Sequence, residues 1–118
     1  MDDAFFQQYF RALDSLEIDR LCNEYLHPDL TVYIIGVEGV DTPLNRDQFL
    51  EVVKGGNSRD QSVIHIPGIV KSQGNLAFVD GYLKVSAPGQ ADNYGKFTDY
   101  FKFKDGKIHE YNICSYTM

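Results

Sequence analysis

The order of helical and strand-like segments in this 118-residue chain predicts an α+β domain in which helices cover one face of a curved, mostly antiparallel sheet. Two helical apolar stripes stand at the front, and one β-branched run precedes a third helical stripe. Everything after residue 61 alternates in long segments broken by glycine turns.

Phe5, Phe6, Tyr9, Phe10 and Leu13 recur at helical spacing behind the N-cap candidates Asp2 and Asp3, which predicts an amphipathic helix over 3–14. Ser15 is the next N-cap candidate, and Ile18, Leu21, Cys22, Tyr25 and Leu26 carry a second helix until the HPD at 27–29 stops it. The run LTVYIIGV, 30–37, reads as the first strand, followed by a loop containing Gly36, Gly39 and Pro43. Asn45 with Gln48 three residues on has the form of a capping box. Phe49, Val52 and Val53 give the helix it starts one apolar face, and Gly55 and Gly56 end it. Segments 61–71, 75–87, 94–104 and 107–116 are strand-like and joined by SQGN, PGQADN and DG, as in an antiparallel meander. No linker, repeat or low-complexity tract interrupts 1–118, so a single domain is expected.

Composition narrows the function. Eleven Lys and Arg against 17 Asp and Glu give a net charge of −6, with no basic cluster to track a phosphate backbone, so no nucleic-acid partner is expected. No apolar run approaches the roughly 18 residues of a membrane span. The start, MDDAFFQQYFRAL, carries acids where a secretory signal needs positive charge, so a soluble, cytoplasmic protein without a membrane partner is expected. Cys22 and Cys114, far apart and in no CxxC, suit a reducing compartment. His27, His65 and His109 lack ligand spacing, and no P-loop, GxGxxG, HExxH, EF-hand loop or GxS elbow occurs; no metal and no cofactor are expected.

One charge is out of place. In FTDYFKF, Asp99 stands among Phe97, Tyr100, Phe101 and Phe103 on a strand. An unpaired carboxylate taken out of water costs several kcal/mol, so Asp99 must be solvated, paired or used. The DG hairpin decides its company. A two-residue Asp105-Gly106 turn pairs Asp99 with Asn112, whereas a three-residue turn from Lys104 pairs it with Tyr111 and sets His109 beside Phe101.

YFRALDSLEIDRLCNEYLHPDLTVYI at the front and TDYFKFKDGKIHEYNICSY at the back resemble the cone-shaped family of ketosteroid isomerases, SnoaL-like polyketide cyclases and nuclear transport factor 2-like proteins. The resemblance covers nearly the whole chain. It implies a strongly curved, cystatin-like sheet whose concave face and helices enclose a pocket for a small apolar molecule, and a homodimer through the outer sheet face. It matches Tyr9 and Asp99 to the isomerases' oxyanion-hole tyrosine and aspartic acid. Ile34 falls where those isomerases keep their general base, which argues against steroid double-bond isomerisation and leaves a cofactor-free isomerase, cyclase or lyase. In such an enzyme Asp99 is an oxyanion donor or is itself the acid or base, the role the resemblance to SnoaL-like cyclases implies for it. A non-catalytic ligand-binding or dimerisation domain is the alternative.

The implied lining is Leu13 and Tyr25 from the first two helices, Val32 and Ile34 from the first strand, and Phe49 and Val53 from the third helix. The meander adds Ile64 and Ile66, Phe78 and Tyr82, Phe97 and Phe101, then Tyr111, Ile113 and Ser115. The family match prefers the three-residue DG turn, which also turns His109 inward as a proton carrier, and it leaves His65 outside. Asp80 is the substitute base if its face is the inner one, as the resemblance has it; alternation of Ala77, Val79 and Leu83 on the opposite face argues that Asp80 is wet. His27 reads as a helix-end residue.

Overall fold

In the computed structural model, which describes residues 2–35, 43–56 and 61–117, the elements follow the expected order. Helix α1 (Asp3–Asp14) is capped by Asp2, whose carboxylate accepts the Phe5 N–H at 3.0 Å. Ser15 caps the end of this helix rather than the start of the next, and Leu16 turns the chain with φ 54°. The second helix is shorter than expected. A three-residue α2 (Ile18–Arg20) runs into a π-helical turn, Leu21–Tyr25. Strand β1 (Leu26–Ile35) then begins four residues before the expected start at residue 30 and absorbs the HPD as an irregularity between Leu26 and Thr31. His27 is therefore a strand residue, its Nδ1 accepting the Asp29 N–H at 3.0 Å.

Helix α3 (Arg46–Gly56) opens on the reciprocal capping box: Asn45 Oδ1 accepts from Gln48 N and Gln48 Oε1 accepts from Asn45 N, both at 2.9 Å. The glycines of the preceding loop, Gly36 and Gly39, lie outside the described residues. Strands β2 (Ser62–Gln73), β3 (Leu76–Ser86), β4 (Asn93–Lys104) and β5 (Lys107–Thr117) form the antiparallel meander, and β1 closes the sheet parallel to β5 in the order β1-β5-β4-β3-β2.

The core lies between α1 and the concave face. Phe6, Tyr9, Phe10 and Leu13, one stripe of α1, are at most 3% exposed. They meet Phe97 and Phe101 of β4 and Tyr111 of β5, with Phe6 to Phe101 at 4.8 Å between ring centroids and Phe10 to Phe97 at 5.2 Å. Each such ring contributes about 1.5–3 kcal/mol by leaving water. The narrow part of the cone is therefore filled with aromatic side chains.

Two bulges set which residues face inward. In β2 the pairing slips at Gly68, between Pro67 opposite Gly81 and Ile69 opposite Asp80. In β5 the DG turn has two residues, Asp105 and Gly106, both at positive φ, and His109 is the extra residue between Ile108 and Glu110. Asp99 consequently pairs with Ile113, which corrects both expected registers; the bulge after a two-residue turn restores the parity of the three-residue turn, so Tyr111 and Ile113 still share the Asp99 face.

Candidate functional site

Asp99 sits mid-strand in β4, between Val79 and Ile113, and is 2% exposed. Tyr111, diagonal to it on β5, donates its hydroxyl to Asp99 Oδ2 at 3.1 Å. Asp99 Oδ1 has no hydrogen-bond partner among the described residues, and neither has the hydroxyl of Tyr9, which is wholly buried. Burial raises the Asp99 carboxyl from 3.8 to about 8, with the Tyr111 hydroxyl pulling the other way. It also raises both phenols, and the nearby Asp99 adds to this. At neutral pH the three groups form a protonated, uncharged cluster.

That cluster lies behind a cavity rather than on its surface. A cavity of about 280 Å³ opens between α3 and the sheet, and of the cluster only Tyr111 lines it. Its wall also includes the expected residues Leu13, Ile34, Phe49, Val53, Ile113 and Ser115. Tyr25, Val32, Phe97 and Phe101 are core residues instead, each at most 5% exposed. Val52, Gly56, Val63 and His65 line the cavity without having been expected there.

The largest departure is on β2. Ile64 and Ile66 face outward, each 44% exposed, while Val63 and His65 face inward. The Gly68 bulge is the cause: from the Gly74 turn the strand pairs in one parity, and beyond Gly68 it pairs in the other, which turns the first half of β2 over. Pro67-Gly68 inside a strand pattern was the available signal. Phe78 and Tyr82 are likewise on the outer face, 51% and 47% exposed, because Ala77, Val79 and Gly81 fill the inner one.

Asp80 shares that outer face. It accepts from Thr98 Oγ1 at 3.0 Å and Lys96 Nζ at 3.2 Å, and these hydrogen bonds lower its pKa. Alternation was the better guide than the family match. His109 also leaves the pocket: the bulge sets its ring against that of His27, 5.0 Å between centroids, at the hairpin end where His27 Nε2 lies 3.5 Å from Asp105.

His65 is held by Asp14, the last residue of α1. Asp14 Oδ2 accepts the His65 backbone N–H at 2.7 Å, and Oδ1 lies 2.6 Å from Nδ1. A second groove, of about 570 Å³ and more polar, adjoins the pair and is lined among others by Gln7, Arg11 and Ser62. Among the described residues no three His, Cys, Asp or Glu side chains gather as metal ligands, and no helix is long and apolar enough to cross a membrane.

Neither a protein-family model nor a curated protein matches the sequence. Solved structures do match the fold. IdmH of Streptomyces antibioticus, a candidate polyketide cyclase, superposes with a TM-score of 0.81 at 17% identity, over 95% of this chain and 89% of that one. An epoxide hydrolase of Mycobacterium tuberculosis, described as LEH-like, gives 0.74 at 12% identity over 94% and 79%. The de novo designed protein NT-9, built to the nuclear transport factor 2 fold, gives 0.64 at 19% identity over 94% and 81%. Two of these bear names of enzymes and one is a design, so the likeness speaks for the backbone and leaves chemistry to the side chains.

Proposed function

With the nuclear transport factor 2-like fold as its frame, we propose that this protein binds a small, mostly apolar carbonyl compound in the cavity beside α3 and performs proton-transfer chemistry on it. Isomerisation, cyclisation and elimination fall in this class. One observation carries the reading: Tyr111, itself 1% exposed, lines an apolar cavity, and its hydroxyl is bonded to a carboxyl that burial keeps protonated. A neutral Asp99 can donate its proton to the Tyr111 oxygen, which frees the phenol proton for a ligand oxygen. Two donors in series, shielded from water, stabilise negative charge growing on a carbonyl oxygen. Asp99 thus acts through Tyr111 as a positioning residue. The names of the candidate cyclase and of the epoxide hydrolase, both proteins of this fold, agree with small-molecule chemistry.

A cavity of about 280 Å³ is at the small end for ligand sites and favours a compound of one or two rings over a four-ring steroid. In a thermal-shift panel of steroids, phenolic polyketide mimics and terpenoid ketones, the smaller ketones and phenols are expected to raise the melting temperature. Turnover of any hit is expected to fall at least about 100-fold in Tyr111→Phe, the usual size of a lost oxyanion donor. Full turnover in that variant would remove the Tyr111 assignment.

A second reading has its own support. Asp99 and Tyr9 are sealed from the cavity, as in a protein that binds without turnover; hits that bind but are never converted would favour it. We also propose a homodimer through the outer face, where Ile66, Phe78 and Tyr82 stand 44–51% exposed and Phe78 packs on Tyr100 at 4.7 Å. Sedimentation of wild type as a dimer and of Phe78→Lys as a monomer is the expected result; a monomeric wild type would refute it.

A further inference from the structure

We propose that His65 is the proton acceptor of the cavity, held in the required tautomer by Asp14. This deepens the function proposed above and rests on it. The oxyanion side of such a reaction has Tyr111, but Asp99 is sealed and Ile34 is a hydrocarbon, so the carbon acid needs a base from elsewhere. Among the described lining residues, His65 is the one side chain with an accessible basic nitrogen; Tyr111 is a phenol and Ser115 an alcohol.

Its surroundings are those of a positioned base. Both Asp14 oxygens are committed to this one residue, one to its backbone N–H and one to Nδ1, so a single carboxylate fixes strand and ring together. The side chain of Asp14 is 12% exposed and sits at the C-terminal end of α1, where the helix dipole disfavours a negative charge. A helix end does not need a carboxylate there. With the Nδ1 proton directed at Asp14, Nε2 carries the lone pair. Nε2 has no partner among the described residues, and unlike Tyr9 Oη and Asp99 Oδ1 it is not sealed in the core. The ring is clamped, stacked on Phe10 at 4.8 Å and 13° and edge-on to Phe97 at 5.2 Å. A fixed imidazole and a phenol that line one apolar cavity are the pair of groups that enolisation requires, although His65 also lines the larger groove beside Asp14.

The test uses 5-nitrobenzisoxazole, a small neutral probe whose turnover needs one base. Nε2 takes the proton from C3, the C–H pair becomes the third C–N bond of a nitrile, and the N–O bond breaks to leave 2-cyano-4-nitrophenolate, read by its absorbance. The imidazolium then returns its proton to water. Cavity occupancy is read separately, from the methyl NMR shifts of Val53 and Ile113 on adding 2-naphthol. Wild type is expected to bind naphthol and to eliminate with saturation. His65→Gln, checked for folding by circular dichroism, is expected to bind naphthol and lose at least about 100-fold in kcat/KM. Asp14→Asn, whose amide N–H can be turned toward Nδ1 and so move the ring proton to Nε2, is expected to lose about tenfold in kcat while still binding naphthol. A purely structural tie between α1 and β2 would change stability and leave kcat of the folded variant in place.

If naphthol binds but wild type eliminates no faster than free imidazole, or if folded His65→Gln keeps the rate, the base assignment is overturned and the binding reading stands. If naphthol does not bind, the cavity reading fails and the base goes with it.

Discussion

Asp99→Asn is expected to unfold at a higher temperature than the wild-type protein at pH 7 and at a lower one below pH 4. In the unfolded chain this carboxyl titrates near 3.8 and in the folded protein at about 8. Between those values the folded state holds a proton that the unfolded state has released, so stability falls as pH rises, by about 1.4 kcal/mol per unit, and levels off above pH 8. Roughly 4 kcal/mol is lost by pH 7 on this scale. The amide cannot ionise and does not suffer this loss. It does leave an N–H group unpaired at the former Oδ1, at a cost of about 1–3 kcal/mol, which is why the variant is the weaker one in acid. The net gain at pH 7 is about 1–3 kcal/mol, or several degrees in Tm. The difference between the two proteins, taken by urea unfolding at pH 4, 6 and 8, cancels every other titrating group. A difference that does not change across that range would show that Asp99 stays ionised in the core.

Gly81→Ala is expected to cost about 3–5 kcal/mol. A methyl built at this position meets the backbone carbonyl oxygen of Ile66 well inside contact distance and two ring carbons of Phe97 at 2.9 Å. Phe97 is itself locked against Phe10 and His65, so the ring cannot yield alone. The backbone oxygen belongs to the bulged stretch of β2, and moving it would open the Pro67–Gly81 pairing that bends the sheet. Gly55→Ala is the matched control: nothing lies within 4 Å of the new methyl, and in the last turn of α3 it should stabilise by up to about 1 kcal/mol. Equal stability of the two variants would contradict the close approach at Gly81.

Periodicity made most of the fold legible. The aromatic stripe from Phe5 to Leu13, the Asn45–Gln48 box and the alternation in β3 and β4 each found the predicted element, because each is a local signal read out within a few residues. The site was harder to read. Leu13, Ile34, Phe49, Val53 and Tyr111 line the cavity as expected, whereas His65, Ile64, Ile66 and His109 changed sides. Those reversals share one origin, that a side chain's face depends on every residue between it and the turn. The extra residue at Gly68 turns over the first half of β2, and the two-residue turn with its bulge turns out His109 while restoring the residues after it. The sealing of Asp99 was illegible for a different reason. It depends on how fully Tyr9, Phe101 and Tyr111 fill the cone, which is a property of packed volumes rather than of any one position.

The Gly68 bulge has a consequence for how such a fold acquires and loses reactivity. A substitution edits one patch of the cavity wall. Looping one residue out of β2 edits half a strand at once, presenting Val63 and His65 where a flush strand would present Ile64 and Ile66. Length, not identity, then selects between a titratable lining and an inert one. Chains that superpose closely on this backbone can differ in that choice by a single inserted residue, so the address of the bulge is the first thing to compare when chemistry is carried from one of them to another.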